Sequence, residues 1–160
     1  MMLKFALPAI TGASLLVGLF LQHVLDMQPC PICIVQRLIL ISIFIVSALP
    51  LLLTNKLVIQ CSNIAVAILT VTGLYFSFDH ITLISAESFL VLCSAFYEQI
   101  IDFTHLNTLL PSMFAVTGSC TDPDSAFLGI PLPYATLVLY LAILPVCYTL
   151  VYKEIAHGNK

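Results

Sequence analysis

Charged side chains are scarce in this sequence, and tryptophan is absent from it. The 160 residues include five Lys or Arg and eight Asp or Glu, so that 8% of the chain is charged. Soluble domains carry roughly 25% charged and about 45–50% apolar residues, whereas 61% of this chain is hydrophobic. So few charges cannot cover the surface of a soluble globule, which predicts a membrane protein. The small net charge of -3 and the lack of a basic cluster argue against a nucleic-acid partner.

Four apolar stretches are long enough to cross a bilayer: residues 5–25, 34–53, 57–78 and 134–152. About 20 helical residues span a hydrocarbon core of ~30 Å. The stretches are continuously apolar rather than alternating, which favours helices over barrel strands. We therefore predict one all-α membrane domain, residues 1–160, built as a four-transmembrane-helix bundle. The first stretch could instead be a cleaved signal peptide, but it is long for one and lacks a small-x-small site before the cysteines.

The charges predict the orientation of the bundle. Lysines lie in the N-terminal tail, the 54–56 turn and the C-terminal tail, three segments that share one side of a four-helix topology. By the positive-inside rule this side is cytoplasmic. The acidic residues other than Glu154 fall in the remaining loops, 26–33 and 79–133. We therefore expect both termini to be cytoplasmic and these two loops to face outward, with Arg37 as the single basic exception.

The first outward loop contains a Cys-x-x-Cys pair, Cys30 and Cys33, with prolines at positions 29 and 31. Such a pair supports dithiol exchange, although zinc sites use the same spacing. The prolines disfavour helix within the loop and allow it to resume between about Pro31 and Cys33. Cys33 would then lie at a helix N-terminus with Arg37 on the same face, and both favour a thiolate. Arg37 could be an interfacial anchor, but an arginine inside an apolar helix usually has a functional partner.

Other polar and sulfur-containing residues give weaker signals. Gln22 and His23 end the first span close to the cysteine loop, and either could simply mark the membrane boundary. His80 lies at the mouth of the third span on the same side, where a histidine is more often interfacial than functional. Cys61 and Cys147 are isolated in apolar helices and are expected to behave as small hydrophobes without a redox role.

The second outward loop holds Cys93 and Cys120, without the second Cys-x-x-Cys that a zinc ribbon needs. On the oxidising side of a membrane a disulfide is the natural state of such a pair. Between them, apolar residues at helical spacing over 100–110 predict a short amphipathic helix lying on the bilayer surface. Gly118 and the Asp-Pro-Asp run at 122–124 are turn-forming and suggest a mobile segment around Cys120.

Taken together, these motifs resemble the DsbB family of bacterial inner-membrane disulfide-bond proteins. The likeness rests on CPIC at 30–33 followed by QR at 36–37, QH at 22–23, the two loop cysteines, FAVTGSC at 114–120, FLG at 127–129 and Pro133. It covers nearly the whole chain. The resemblance implies a thiol:quinone oxidoreductase in the inner membrane that reoxidises a periplasmic DsbA-like thiol oxidase. The electrons would pass to the membrane quinone pool, either ubiquinone or menaquinone.

The resemblance also implies roles for the four loop cysteines. Cys93 matches the family's cysteine that forms a mixed disulfide with the partner, and Cys120 matches its resolving mate. Cys30 and Cys33 match the quinone-linked pair, with Cys33 as the thiolate that contacts the quinone.

The same likeness implies a quinone site made of Arg37, His80 and Gln22, and no metal. Position 36 is Gln here, where some members of the family have Glu, and we expect little consequence from this difference.

Three other classes of protein share part of this pattern. A vitamin K epoxide reductase-like enzyme also combines four helices with a quinone-linked pair of cysteines. In that family, however, the quinone-side cysteine pair resembles a late-helix motif that follows the loop cysteines. A metal protein would need all four outer cysteines to stay reduced in an oxidising compartment. A structural protein with two stabilising disulfides would have no use for an activated thiolate beside Arg37.

Overall fold

Four long helices and several short elements make up the structure. The computed structural model describes residues 2–85, 97, 99, 101–103, 105–118, 126–127 and 130–158. In chain order the elements are α1 (Met2–Val24), α2 (Pro31–Leu52), α3 (Lys56–Ser85), α4 (Leu106–Leu109), α5 (Pro111–Phe114), β1 (Ala126–Phe127), β2 (Ile130–Pro131) and α6 (Leu132–Gly158).

The four long helices confirm the predicted all-α membrane fold. Each contains a segment long and apolar enough to cross a membrane: Phe5–Val24, Pro31–Leu52, Lys56–Ile84 and Leu132–Tyr152. Large apolar side chains such as Leu16, Ile68 and Val138 are 61–69% exposed on the outside of the bundle. A bundle whose outer surface is this apolar is solvated by lipid rather than by water.

The helices pack in the order α1, α2, α3, α6. Extensive contacts join α1 to α2, α2 to α3 and α3 to α6, whereas α1 and α6 touch only sparsely. The most enclosed helix is α2, in which Ile32, Ile34 and Ile43 are completely buried. The fold therefore places the helix that follows the Cys-x-x-Cys loop at the centre of the bundle and leaves its α1–α6 side loosely closed.

Two helix boundaries differ from the predicted spans in a way that affects the site. Helix α2 begins at Pro31, since proline suits a first helical turn. Helix α3 continues beyond residue 78 to Ser85, so Asp79 and His80 are helical rather than at a loop mouth. Hydrophobicity marks where a span leaves the apolar layer, but helical hydrogen bonding can continue past that point. The Tyr97 hydroxyl donates a hydrogen bond to Asp79 Oδ2 at 2.5 Å. This bond joins Tyr97 to the part of α3 that lies beyond residue 78.

The segment predicted as one amphipathic helix is interrupted. Residues 101–103 are helical, but His105 has φ 51°, a left-handed conformation that a right-handed helix cannot contain. Short helices α4 and α5 follow, and α5 begins at Pro111. The predicted location of this segment on the bilayer surface stays a prediction.

Two further features of the second loop complete the fold. Cys93 and Cys120, predicted to form a disulfide, lie outside the described residues.

An antiparallel two-residue ladder, which was not predicted from the sequence, pairs Ala126 with Pro131 and Phe127 with Ile130 just before α6.

Helices α3 and α6 approach closely at Gly73. A Cβ atom built there would lie 2.3 Å from the ring of Tyr140. The Tyr140 side chain is completely buried, and its hydroxyl donates to the Gln36 carbonyl oxygen at 3.2 Å. Glycine at position 73 thus allows one aromatic side chain to join α6 to both α3 and α2.

Replacing Gly73 should destabilise the bundle. In Gly73→Ala the new methyl group forces the buried Tyr140 ring to move, an overpacking cost of about 1–3 kcal/mol. The matched control is Gly18→Ala, because a Cβ at position 18 meets nothing within 4 Å. Unfolding of the detergent-solubilised protein measures both, and equal stability of the two variants would contradict this packing.

Candidate active site

The Cys-x-x-Cys pair forms the N-terminal cap of α2. Cys30 is the N-cap residue with φ -81° and ψ 164°, and Pro31 occupies the first helical turn. The Cys33 backbone N–H donates to Cys30 Sγ at 3.3 Å. The two sulfur atoms are 2.7 Å apart, so the pair is positioned to form a disulfide bond.

The helix N-terminus lies beside both sulfur atoms. Cys33 is in the first turn of the helix, as the sequence predicted, and its backbone N–H donates to Cys30 Sγ. Cys30 is 3% exposed, whereas Cys33 is half-buried and interacts electrostatically with Arg37. Each sulfur thus has its own source of positive potential, a backbone amide for Cys30 and a guanidinium for Cys33.

Arg37 and Gln22 are brought together, as the resemblance implied. Arg37 Nη1 donates to Gln22 Oε1 at 2.7 Å and also to the carbonyl oxygen of Met113. Gln22 in turn donates through Nε2 to the Ser112 carbonyl oxygen at 3.0 Å. These bonds join α1, α2 and α5 and hold the half-buried guanidinium in one position.

His80 reaches the site from α3. Its side chain is 2% exposed, and Nε2 lies 3.6 Å from Cys30 Sγ. Burial and this contact show that His80 belongs to the cysteine cluster rather than to the interface.

One cavity of about 380 Å³ connects these groups. It lies between α1, α2, the loop at 27–30 and the start of α6. Its walls are largely apolar, while its polar and sulfur-bearing lining includes Gln22, Cys30, Cys33, Gln36, Arg37 and His80. Every described residue assigned to the site from the sequence therefore faces the same space. His23 and the two isolated cysteines, Cys61 and Cys147, do not line it.

Gln36 has a larger structural role than the sequence analysis gave it. Its side chain is 2% exposed, and Nε2 donates to Ser77 Oγ at 3.2 Å. Its carbonyl oxygen accepts the Tyr140 hydroxyl, so one residue joins three helices. A glutamine within an apolar helix is itself a signal of a buried polar network, but its partners are distant in sequence and only the fold identifies them.

The second loop docks on the cysteine loop through its backbone. The N–H groups of Thr117 and Gly118 donate to the Pro29 carbonyl oxygen at 3.3 Å and 3.1 Å. A Cβ on Gly118 would lie 2.5 Å from the Gln28 carbonyl oxygen. The turn-forming Gly118 thus contacts the residues immediately before Cys30, and the predicted mobility of the segment around Cys120 stays a prediction.

Residues 2–150 match the family described as "Disulfide bond formation protein DsbB". The chain belongs to the DsbB family. The family implies a membrane protein of disulfide bond formation, a disulfide-generating oxidoreductase, and it confirms the resemblance found in the sequence.

Relatives named disulfide bond formation protein B show how far the similarity extends. The protein of that name from Acinetobacter baumannii is 31% identical over 148 residues, which cover 88% of this chain and 83% of the relative. One from Polaromonas sp. is 27% identical over 131 residues, covering 82% of this chain and 78% of the relative. The similarity to this chain therefore includes most of each protein.

Removing the Gln22 side chain should loosen Arg37. In Gln22→Ala the guanidinium loses a charge-assisted hydrogen bond, at a cost of about 1 kcal/mol or more in unfolding free energy. The neighbouring His23→Ala is the control, since the exposed His23 lies outside the cavity lining. Unfolding in detergent compares the two variants, and equal stability would show that the Arg37–Gln22 bond does not hold the helices together.

Proposed function

We propose that this DsbB-family chain is a thiol:quinone oxidoreductase of the bacterial inner membrane. It reoxidises a DsbA-like periplasmic thiol oxidase through Cys93 and Cys120 and then through Cys30 and Cys33. The electrons go to a membrane quinone, ubiquinone or menaquinone. The observation that carries the proposal is the single cavity shared by the α2 dithiol and Arg37. A DsbA–DsbB–quinone relay is the known means by which the bacterial periplasm is kept oxidising.

The cavity fits a lipid-soluble quinone. Its volume of about 380 Å³ is within the roughly 300–1,000 Å³ of small-molecule sites, and its walls are mostly apolar as in such sites. Sparse contact between α1 and α6 offers a route of entry from lipid. A bound quinone supplies an acceptor for two electrons and two protons. Arg37, held by Gln22, would bind and stabilise negative charge there, and His80 offers a ring N–H beside the same dithiol.

The need for a strong terminal oxidant follows from redox potentials. DsbA-type partners lie near −120 mV, whereas stable structural disulfides lie below about −300 mV. At ~1.4 kcal/mol per 30 mV for two electrons, a relaxed disulfide would face a step of roughly 8 kcal/mol uphill. The relay therefore requires an acceptor of higher potential at its end, which a quinone in the cavity provides.

Two disulfide exchanges would connect the partner to the cavity. A partner thiolate attacks Cys93 in the Cys93–Cys120 disulfide, and Cys120 leaves as a thiolate. When the partner's second thiol closes its own disulfide, Cys93 is released. The Cys120 thiolate attacks Cys30 in the Cys30–Cys33 disulfide, and Cys33 leaves as a thiolate stabilised by Arg37. The released Cys93 thiolate then attacks Cys120 in the mixed Cys120–Cys30 disulfide, which re-forms Cys93–Cys120 and frees Cys30. Cys30 and Cys33 are left reduced, the state in which they would give two electrons to a quinone.

The docked second loop supports this exchange. Gly118 is hydrogen-bonded to Pro29, the residue before Cys30. Cys120 follows Gly118 by two positions, a reach of about 7 Å for an extended chain. In the proposed exchange, this backbone contact would keep Cys120 within reach of Cys30 without a bond that must be broken in each cycle.

The orientation is part of the same proposal. The cysteine end of the bundle faces the periplasm, where both the partner and an oxidising environment are found. The lysine-bearing termini and the 54–56 turn lie on the cytoplasmic side.

Quinone reduction tests the proposed function. The purified protein in detergent is given a reduced DsbA-type partner and a quinone, and absorbance follows quinone loss. Wild type should turn over, and Cys93→Ala should not. Cys61→Ala is the control, because Cys61 lies outside the cavity lining and should keep wild-type turnover. Absence of turnover by wild type with both ubiquinone and menaquinone would refute the proposal.

A methyl group on Gly118 should uncouple the two cysteine pairs. Gly118→Ala places its Cβ against the Gln28 carbonyl and displaces the loop, and such misplacement of reacting groups costs about tenfold or more in rate. Quinone reduction should fall, while the rapid oxidation of the first equivalent of partner, which uses only Cys93 and Cys120, persists.

The control for Gly118→Ala is Thr117→Ala, which keeps both backbone bonds to Pro29 and removes only exposed side-chain atoms. It should behave as wild type in both phases. Identical quinone reduction by the two variants would show that loop docking does not position the exchange.

A further inference from the structure

We infer that the reduced cysteine pair and His80 form a binding site for a thiophilic metal cation, with Zn²⁺ as the best match. Cys30 Sγ, Cys33 Sγ and a ring nitrogen of His80 all lie within 4.8 Å of one another. No metal was expected from the sequence, in which the four outer cysteines were the candidate ligands. The fold adds a histidine from α3, 47 positions beyond Cys33 in the printed sequence, to a dithiol on α2.

The spacing of the ligand atoms suits tetrahedral zinc. Bonds of about 2.3 Å to sulfur and about 2.0–2.1 Å to nitrogen place neighbouring ligand atoms roughly 3.5–3.8 Å apart. Cys30 Sγ and His80 Nε2 already lie 3.6 Å apart. The two sulfurs, at 2.7 Å, must separate by about 1 Å to meet this geometry. Cys33 can provide that movement, because its half-buried side chain borders the cavity.

The ligand set selects the class of cation. Two thiolates and an imidazole suit zinc or another thiophilic ion, whereas Mg²⁺ and Ca²⁺ require oxygen ligands. No carboxylate belongs to this group in the described part of the chain. Two thiolates also neutralise a divalent cation, so the complex adds no net charge to a site where Cys30 and His80 are nearly fully buried. The cavity leaves room for a water molecule as the fourth ligand.

Redox state controls this site. A Cys30–Cys33 disulfide offers no thiolate, so only the reduced chain binds the cation, with release of the thiol protons. Coordination to the cation withdraws charge from both sulfurs and so lowers their reactivity in disulfide exchange and oxidation. If the proposed relay operates, zinc therefore inhibits it by trapping the reduced form, and a chelator restores it.

Direct zinc binding tests the inference without a quinone or a partner protein. The protein carries Cys93→Ser and Cys120→Ser, so that the second loop contributes no thiols, and it is incubated with Zn²⁺ in detergent and freed of excess metal. The reduced form should retain about one zinc per chain, and the form oxidised at Cys30–Cys33 should retain none. Cys61 and Cys147 remain thiols in both forms and report nonspecific binding.

Variants of the ligands identify the site. Since loss of even a second-shell partner weakens metal binding about 10- to 100-fold, His80→Ala should weaken zinc binding at least about tenfold. Cys33→Ser should abolish it, and His23→Ala, outside the cluster, should not change it. With Co²⁺ as a probe, thiolate-to-cobalt charge-transfer absorption should appear only in the reduced form.

Either of two results would overturn the inference. One is equal zinc retention by the oxidised and reduced forms. The other is unchanged affinity in either His80→Ala or Cys33→Ser. Neither result affects the proposed relay, which is measured by quinone reduction alone.

Discussion

A single positive charge inside an apolar bundle constrains much of this structure. Arg37 lies one turn beyond Cys33 in the most enclosed helix, where an uncompensated charge is costly. The Gln22 side chain and the Met113 carbonyl oxygen accept its hydrogen bonds. Meeting this requirement draws α1 and the short helix α5 to the N-terminal end of α2. The same contacts leave the charge beside a sulfur atom and facing a cavity.

The buried polar groups divide into two sets with different consequences. Gln36, Ser77 and Tyr140 join α2, α3 and α6 by hydrogen bonds, and Gln36 also lines the cavity. The sulfur atoms and His80 border the same cavity. The first set joins the helices that position the second set.

The sequence predicted those features that depend on neighbouring residues. The lengths of the apolar runs predicted the four spans. The positions of the prolines predicted that Cys30 and Cys33 lie at the start of a helix. It could not show contacts between distant segments, such as the docking of Gly118 on Pro29 or the approach of His80 to Cys30. The prediction of one continuous helix over 100–110 was wrong for a local reason. The apolar spacing does not reveal the left-handed backbone at His105. The structural role of Gln36 was not evident from the sequence, because its hydrogen-bond partners come from α3 and α6.

The most direct measurement compares two steps in Arg37→Ala. Rapid mixing with reduced partner follows disulfide exchange among the cysteines, and quinone absorbance in the same sample follows electron transfer out of the cavity. Quinone reduction should fall steeply while exchange between the cysteine pairs slows less, because Arg37 acts on the Cys33 thiolate in both steps but on the charge of the quinone only in the second. Equal loss of both steps would contradict this division of roles.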